Sequence, residues 1–143
     1  MVVLDTNILV AALWSRTGSS YRILTGALLG EIPIAVSVAL ALEYEDVLKR
    51  THMREASWAS LAELDMVLDA LFGCAKLVMP IRVRGRPFLK DADDDMVLEC
   101  AVQAQANAII TMNIRDFAPV RPTFGIDILT PGAFLASLRR TEA

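Results

Sequence analysis

The sequence predicts an α/β fold: three layers, α/β/α, around a central, mainly parallel sheet of four to five strands. Three observations predict it. Short apolar runs such as Val2-Val3-Leu4 and Ile109-Ile110 have the length and composition of strands buried on both faces. They alternate with longer segments whose apolar residues recur at helical spacing. Hydrophobic residues make up 55% of the 143-residue chain, above the usual ~45–50%, as a sheet covered by helices requires. No linker-like stretch or internal repeat divides the sequence, so residues 1–143 are expected to form one domain.

The elements follow in order. Met1 to Asp5 reads as the first strand, and Thr6 to Trp14 then turns helical. Ser15 to Gly18 is a loop, after which Ser19 or Ser20 caps a second helix reaching Leu29, with Gly30 as its stop. Pro33 to Val36 is the second strand, and Ser37 is placed to cap a helix running to about Lys49. Ser57 caps the next helix. Trp58, Leu61, Leu64, Val67, Leu68, Leu71 and Phe72 follow helical spacing there before Gly73 ends it. Cys74 to Met79 is the third strand. Pro80 to Asp93 is irregular, basic first and then acidic. Asp94 to about Gln105 is helical, with Met96, Val97, Cys100, Ala101 and Ala104 on one face. Ala108 to Thr111 is the fourth strand and Ile126 to Leu129 a fifth. Pro131 suits the first turn of a final helix through Leu138.

Composition narrows the class. No stretch reaches the ~18 apolar residues of a membrane span. Asp5 interrupts the first apolar run and no basic segment precedes it, which argues against a secretory signal. Cys74 and Cys100 form no Cys-x-x-Cys pair and are expected as buried, reduced thiols of a cytoplasmic protein. With His52 the single histidine, zinc is not expected. A net charge of −3 opposes strong non-specific affinity for nucleic acid. Carboxylates that hold a divalent cation would be neutralised in use.

In a parallel sheet, sites form outside the carboxyl ends of the strands. Asp5 stands at such an end, either as a cap for the helix at Thr6 or as a site carboxylate. Glu43 lies within the third helix beside Leu42 and Tyr44, on a face expected to be partly buried, or is an ordinary surface glutamate. Asp91, Asp93, Asp94 and Asp95 precede an apolar helix. The helix dipole and capping account for one or two of them. The remainder need relief of their mutual repulsion by solvent or cations. After the fourth strand come Thr111, Asn113 and Asp116, oxygen donors or members of an Asx turn. Oxygen donors delivered to one edge by successive strands suit hard cations such as Mg²⁺ or Mn²⁺.

Taken together, Val2-Val3-Leu4-Asp5-Thr6-Asn7, Leu42-Glu43-Tyr44-Glu45-Asp46-Val47-Leu48, Asp91-Ala92-Asp93-Asp94-Asp95 and Ile109-Ile110-Thr111-Met112-Asn113 with Asp116-Phe117 resemble the PIN-domain family. The subgroup they resemble most is that of VapC-like toxins. The resemblance spans nearly the whole chain. It implies a ribonuclease dependent on Mg²⁺ or Mn²⁺, the toxin of a toxin–antitoxin pair, with RNA as substrate, a cognate antitoxin as partner and a homodimer as assembly. By resemblance Asp5, Glu43 and Asp94 take the main acidic roles, with Asp95 one residue away as the competing ligand. Asn113 and Asp116 are further metal ligands, and Asn7, Thr111 and Asp91 support the site. Two departures stand out: Asn113 where many relatives carry Asp, which removes a charge, and Ala92 in place of a proline.

Arg82, Arg84 and Arg86 alternate and are followed by Lys90; in an extended segment they share one face that RNA phosphates could cross. A solvated loop balancing the neighbouring acids explains them slightly better. Arg115 and Arg16 are further basic candidates, and Trp14 and Trp58 could stack on bases or pack in the core. Two other classes compete. An Mg²⁺-dependent phosphoryl-transfer or receiver-like domain also places Asp at strand ends, but position 7 is Asn and no lysine follows Lys90. A non-catalytic PIN-like module that binds RNA or protein is the reading that Asn113 favours.

Overall fold

The computed structural model describes residues 1–50, 55–79 and 88–142. Arg82, Arg84, Arg86 and His52 lie outside the described residues. The strands are β1 (Val2–Leu4), β2 (Ala35–Ser37), β3 (Lys76–Val78), β4 (Ala108–Ile110) and β5 (Asp127–Leu129). The helices are α1 (Thr6–Trp14), α2 (Ser19–Leu28), α3 (Val38–Leu48), α4 (Leu61–Cys74), α5 (Ala92–Ala104), α6 (Val120–Phe124) and α7 (Pro131–Glu142). A 3₁₀ turn covers Ile114–Phe117.

Every strand pair is parallel. β1 pairs with β4 and β4 with β5, while β2 pairs with β3. A bridge between Val2 and Ile34, and a 3.0 Å hydrogen bond from the Val2 N–H to the Pro33 carbonyl, join the two sets. The spatial order is therefore β3-β2-β1-β4-β5, and it reverses direction at β1. That reversal opens a crevice at the carboxyl ends of the flanking strands. Val3, Leu4, Ile109 and Ile110 are wholly buried, as strands covered on both faces must be. α5 lies along β1 to β4 with α3 beside it, and α7 packs on α2 and β5. This is the mixed α/β fold with a central parallel sheet that the alternating pattern requires.

The local chemistry of several elements is as read. Ser37 caps α3 by accepting the Leu40 N–H at 3.1 Å. Gly30, at φ +76, ends the turn after α2, a backbone region that glycine enters without a Cβ clash. Pro131 opens α7. Gly26 allows a close approach, since a Cβ there would stand 2.6 Å from the Ile32 Cδ1.

Other boundaries move. α4 begins at Leu61, not after Ser57, because Ser60 and Glu63 make a reciprocal capping box. The helix also runs through Gly73 to Cys74, since one glycine weakens a helix without ending it. Trp58 thereby leaves the helix: its indole N–H donates to the Ala12 carbonyl at 2.8 Å and its ring meets Tyr21 edge-on. α5 begins at Ala92 with Asp91 as cap, and α7 extends beyond Leu138 to Glu142. α2 is capped by neither Ser19 nor Ser20; Gly18 holds the N-cap position and no side chain caps the helix. Cys100 is buried, but Cys74 is exposed, because α4 carries it to the end of its last turn. Among the described residues no helix is long and apolar enough to cross a membrane.

Candidate functional site

Asp5 is the residue that follows β1 at the reversal of strand order. It is 8% exposed, and its backbone N–H donates to the Ile110 carbonyl at 2.9 Å, extending the β1–β4 ladder by one step. Its Oδ2 accepts the Thr111 hydroxyl at 2.8 Å. Asp5 occupies the N-cap position of α1, but its side chain makes no capping hydrogen bond to that helix. Burial raises its pKa; hydrogen bonds from Thr111 and from the Thr6 N–H oppose the rise, and Asp116 and Asp91 add to it.

Thr111 is wholly buried after β4 and also accepts the Asn113 N–H at 3.0 Å. Asn7, on the first turn of α1, accepts the Met112 N–H at 3.3 Å. These bonds tie the ends of β1 and β4 together. Asn113 and Asp116 both stand exposed on the segment that follows.

α5 supplies the facing acids. Asp91 caps the helix by accepting the Asp93 N–H at 2.8 Å. Asp94, half-buried, lines a cleft of about 400 Å³ with Asp91, Asp116, Lys90, Arg115 and Phe88. Burial and the charges of Asp5, Asp91, Asp116 and Asp93 push its pKa up to about 6. Asp95 faces the other way. It is 1% exposed, and its Oδ1 accepts the Phe88 and Leu89 N–H groups at 3.2 and 3.0 Å. Its carboxylate anchors the segment entering α5 and does not open on the cleft.

Glu43 is half-buried on α3. Burial raises its pKa, Asp93, Asp46 and Asp5 raise it further, and Arg50 opposes them. It therefore shares the field of the acids from β1 and α5. Tyr44, its neighbour, was not singled out in the sequence, yet it is wholly buried, donates its hydroxyl to the Leu4 carbonyl and stacks on Phe72. That bond fixes α3 to the strand that delivers Asp5. The four-residue spacing of Leu40, Tyr44 and Leu48, all buried, was the available signal.

The charges of Asp91 and Asp116 add to the raised pKa values of Asp5 and Asp94, and among the described residues none of the four is paired with a cation. Such a cluster is under-neutralised and fits a bound cation. Among the described residues no three His, Cys, Asp or Glu side chains stand close enough to grip one ion directly. The donor set fits Mg²⁺ or Mn²⁺ held by one or two carboxylates with water completing the shell, the usual manner of Mg²⁺.

The fold and the site define an α/β domain with carboxylates gathered at a strand-order reversal. A family model described as PIN domain matches residues 1–115, and the chain belongs to that family. Among solved structures, the fold is similar to the crystal structure of VapBC2 from Rickettsia felis bound to a DNA fragment from their promoter. The TM-score is 0.57 and the identity 19%, over 91% of this chain and 98% of that one. Comparison with curated protein sequences gives no match.

Proposed function

We propose that the chain is a ribonuclease that uses Mg²⁺ or Mn²⁺ to hydrolyse RNA phosphodiester bonds, and that it is the toxin of a toxin–antitoxin pair. The observation that carries this reading is the pair Asp5 and Asp94. Asp5 follows β1 and Asp94 lies in the first turn of α5, both have raised pKa values, and the Asp5 charge contributes to the rise at Asp94, with no cationic partner for either among the described residues. A hard cation there would lower the pKa of a bound water and neutralise a scissile phosphate.

The chain's own residues divide the work. Asp5 and Asp94 would hold the cation, and Asp116 and the Asn113 amide would offer further oxygen donors. Thr111 fixes the Asp5 carboxylate by its hydroxyl, leaving one oxygen of Asp5 to the site. Asn7 and Asp91 hold the backbone of β4's end and of α5. Glu43, with its raised pKa, accepts a proton from the attacking water or steadies it. Lys90 and Arg115 line the cleft and meet the RNA backbone. Arg82, Arg84 and Arg86 would extend that contact. Asn113 brings no charge, so cation affinity is set by Asp5, Asp94 and Asp116.

The toxin role rests on family membership and on the likeness to the VapBC2 structure. A cognate antitoxin as partner, a homodimer as assembly and a cytoplasmic location go with that role. The test is cleavage of single-stranded RNA with Mg²⁺ or Mn²⁺. Asp94→Asn and Asp5→Asn are each expected to lower kcat by at least about 100-fold while the chain stays folded. Undiminished cleavage by either folded variant removes that residue from the mechanism. A wild-type chain that binds RNA but never cuts it is the non-catalytic module instead.

A further inference from the structure

A second concavity, about 390 Å³, lies between the N-termini of α2 and α7 and is lined in part by Met112, the residue after Thr111. None of its lining residues is charged. Two helix starts meet there. At α2 the N-cap position is Gly18 and no side chain caps the helix, so the N–H groups of Ser19 and Ser20 lack a capping acceptor. At α7 the Thr130 hydroxyl accepts the Ala133 N–H, which leaves Gly132 as the free donor of the first turn, because Pro131 has no N–H. Each helix start also carries roughly half a positive elementary charge.

An independent observation points to a ligand. Ser20 lines this groove, is 4% exposed, and its Oγ has no hydrogen-bond partner. A buried hydroxyl without a partner is costly, and an acceptor entering the groove would relieve that cost. Gly18 and Gly132 leave the approach open: a Cβ at either would meet no protein atom within 4 Å.

We propose that this groove binds a backbone phosphate of single-stranded RNA, next to the phosphate being cleaved. The inference rests on the ribonuclease reading. Oriented N–H groups, a hydroxyl donor and two helix dipoles are the elements of an anion site. Met112, which lines the groove, is the chain neighbour of Thr111, whose hydroxyl holds Asp5, so the groove lies one residue along the chain from the residue that positions Asp5. A strand lying over Asp5 and Asp94 passes from an acidic cleft to an uncharged, donor-rich groove, where an adjacent phosphate is better received.

The test titrates the metal-free, isotope-labelled chain with a short single-stranded RNA and reads the amide resonances of Ser19, Ser20 and Gly132. They are expected to move with RNA and to stay in place with an oligonucleotide of the same sequence joined by uncharged methylphosphonates. Gly18→Asp places a carboxylate where it caps α2, preserving the fold, while repelling a phosphate. It is expected to weaken RNA binding roughly tenfold, with the loss in cleavage falling on KM more than on kcat and the thermal midpoint not lowered. Equal shifts with charged and uncharged linkages, or unchanged RNA affinity in Gly18→Asp, overturn the subsite. Silent amides in a chain that cleaves RNA remove the groove and leave the ribonuclease reading standing. Amides that move in a chain that cuts no RNA keep the phosphate site and overturn that reading. If Gly18→Asp weakens only the capture of a partner protein, the groove takes an acidic side chain and the proposal is wrong.

Discussion

Asp94 and Asp95 are adjacent in sequence and opposite in environment. One helical step turns a side chain by about 100°, which here separates a cleft from a core. Asp95 accepts two backbone N–H groups and is buried, so its charge holds the segment at Phe88 and Leu89. Burial, and then the like charges around it, raise the Asp94 pKa to about 6. Asp95→Asn should therefore lower the unfolding free energy by about 1.5–3 kcal/mol in urea titration, the worth of hydrogen bonds to a charged acceptor. Asp94→Asn should leave metal-free stability at neutral pH unchanged or raised. The reverse ranking would mean that the two carboxylates have exchanged roles. The sequence named both residues but could not separate their roles, because N-terminal acids are favoured by the helix dipole whatever face they take. The family pattern pointed to Asp94. Asp5 was legible from a carboxylate ending an apolar run, whereas Tyr44 was hidden among ordinary core residues until its hydroxyl met the Leu4 carbonyl.

At the level of elements, caps decided most of the boundaries. Ser57 and Ser60 both precede the apolar run of α4, and only Ser60 is followed three residues later by a glutamate. The Glu63 carboxylate accepts the Ser60 N–H at 3.2 Å while the Ser60 hydroxyl accepts the Glu63 N–H at 3.1 Å. Ser57 is not idle, since it accepts the Ala59 N–H at 3.0 Å, but it starts no helix. Ser60→Ala is expected to cost about 1 kcal/mol of stability, measured by urea unfolding. Ser57→Ala should cost less, and equal losses would move the start of α4 back to Ser57. The 3₁₀ turn and α6 were missed because elements so short bury few residues and leave no repeat to read. At α2 the error was informative: serines that look like caps lie inside the helix, and that placement leaves the Ser20 hydroxyl without a partner.

For the whole molecule, the acidic site is expected to couple stability to pH, and on the proposed function to divalent cations. The carboxyl of Asp94 titrates near 6 in the folded chain against an ordinary 3.8, and Asp5 and Glu43 shift in the same direction. Raised carboxyl values mean that the folded state binds protons more tightly than the unfolded chain. The resulting stability is fully present below about pH 4 and is lost as pH rises through about 6. The thermal midpoint of the metal-free chain should therefore fall between about pH 5 and pH 7, and Mn²⁺ should restore it more at pH 7 than at pH 5. A midpoint indifferent to both variables would contradict an under-neutralised cluster. The alternation of apolar runs and amphipathic segments made the sheet legible as parallel. The strand order is a product of packing, and no local pattern encodes which strand lies beside β1.

That order has a consequence for the timing of synthesis. β1 is made well before its neighbour β4, which is complete only at Ile110, and the bond that fixes Asp5 comes from Thr111, 106 residues later. Pairings so distant close late, because loop entropy is lost before any contact offsets it. On the ribosome, β1 would wait without its central partner until Ile110 and Thr111 had emerged. A translation product truncated before β4 would lack both the central strand pairing and the hydroxyl that holds Asp5.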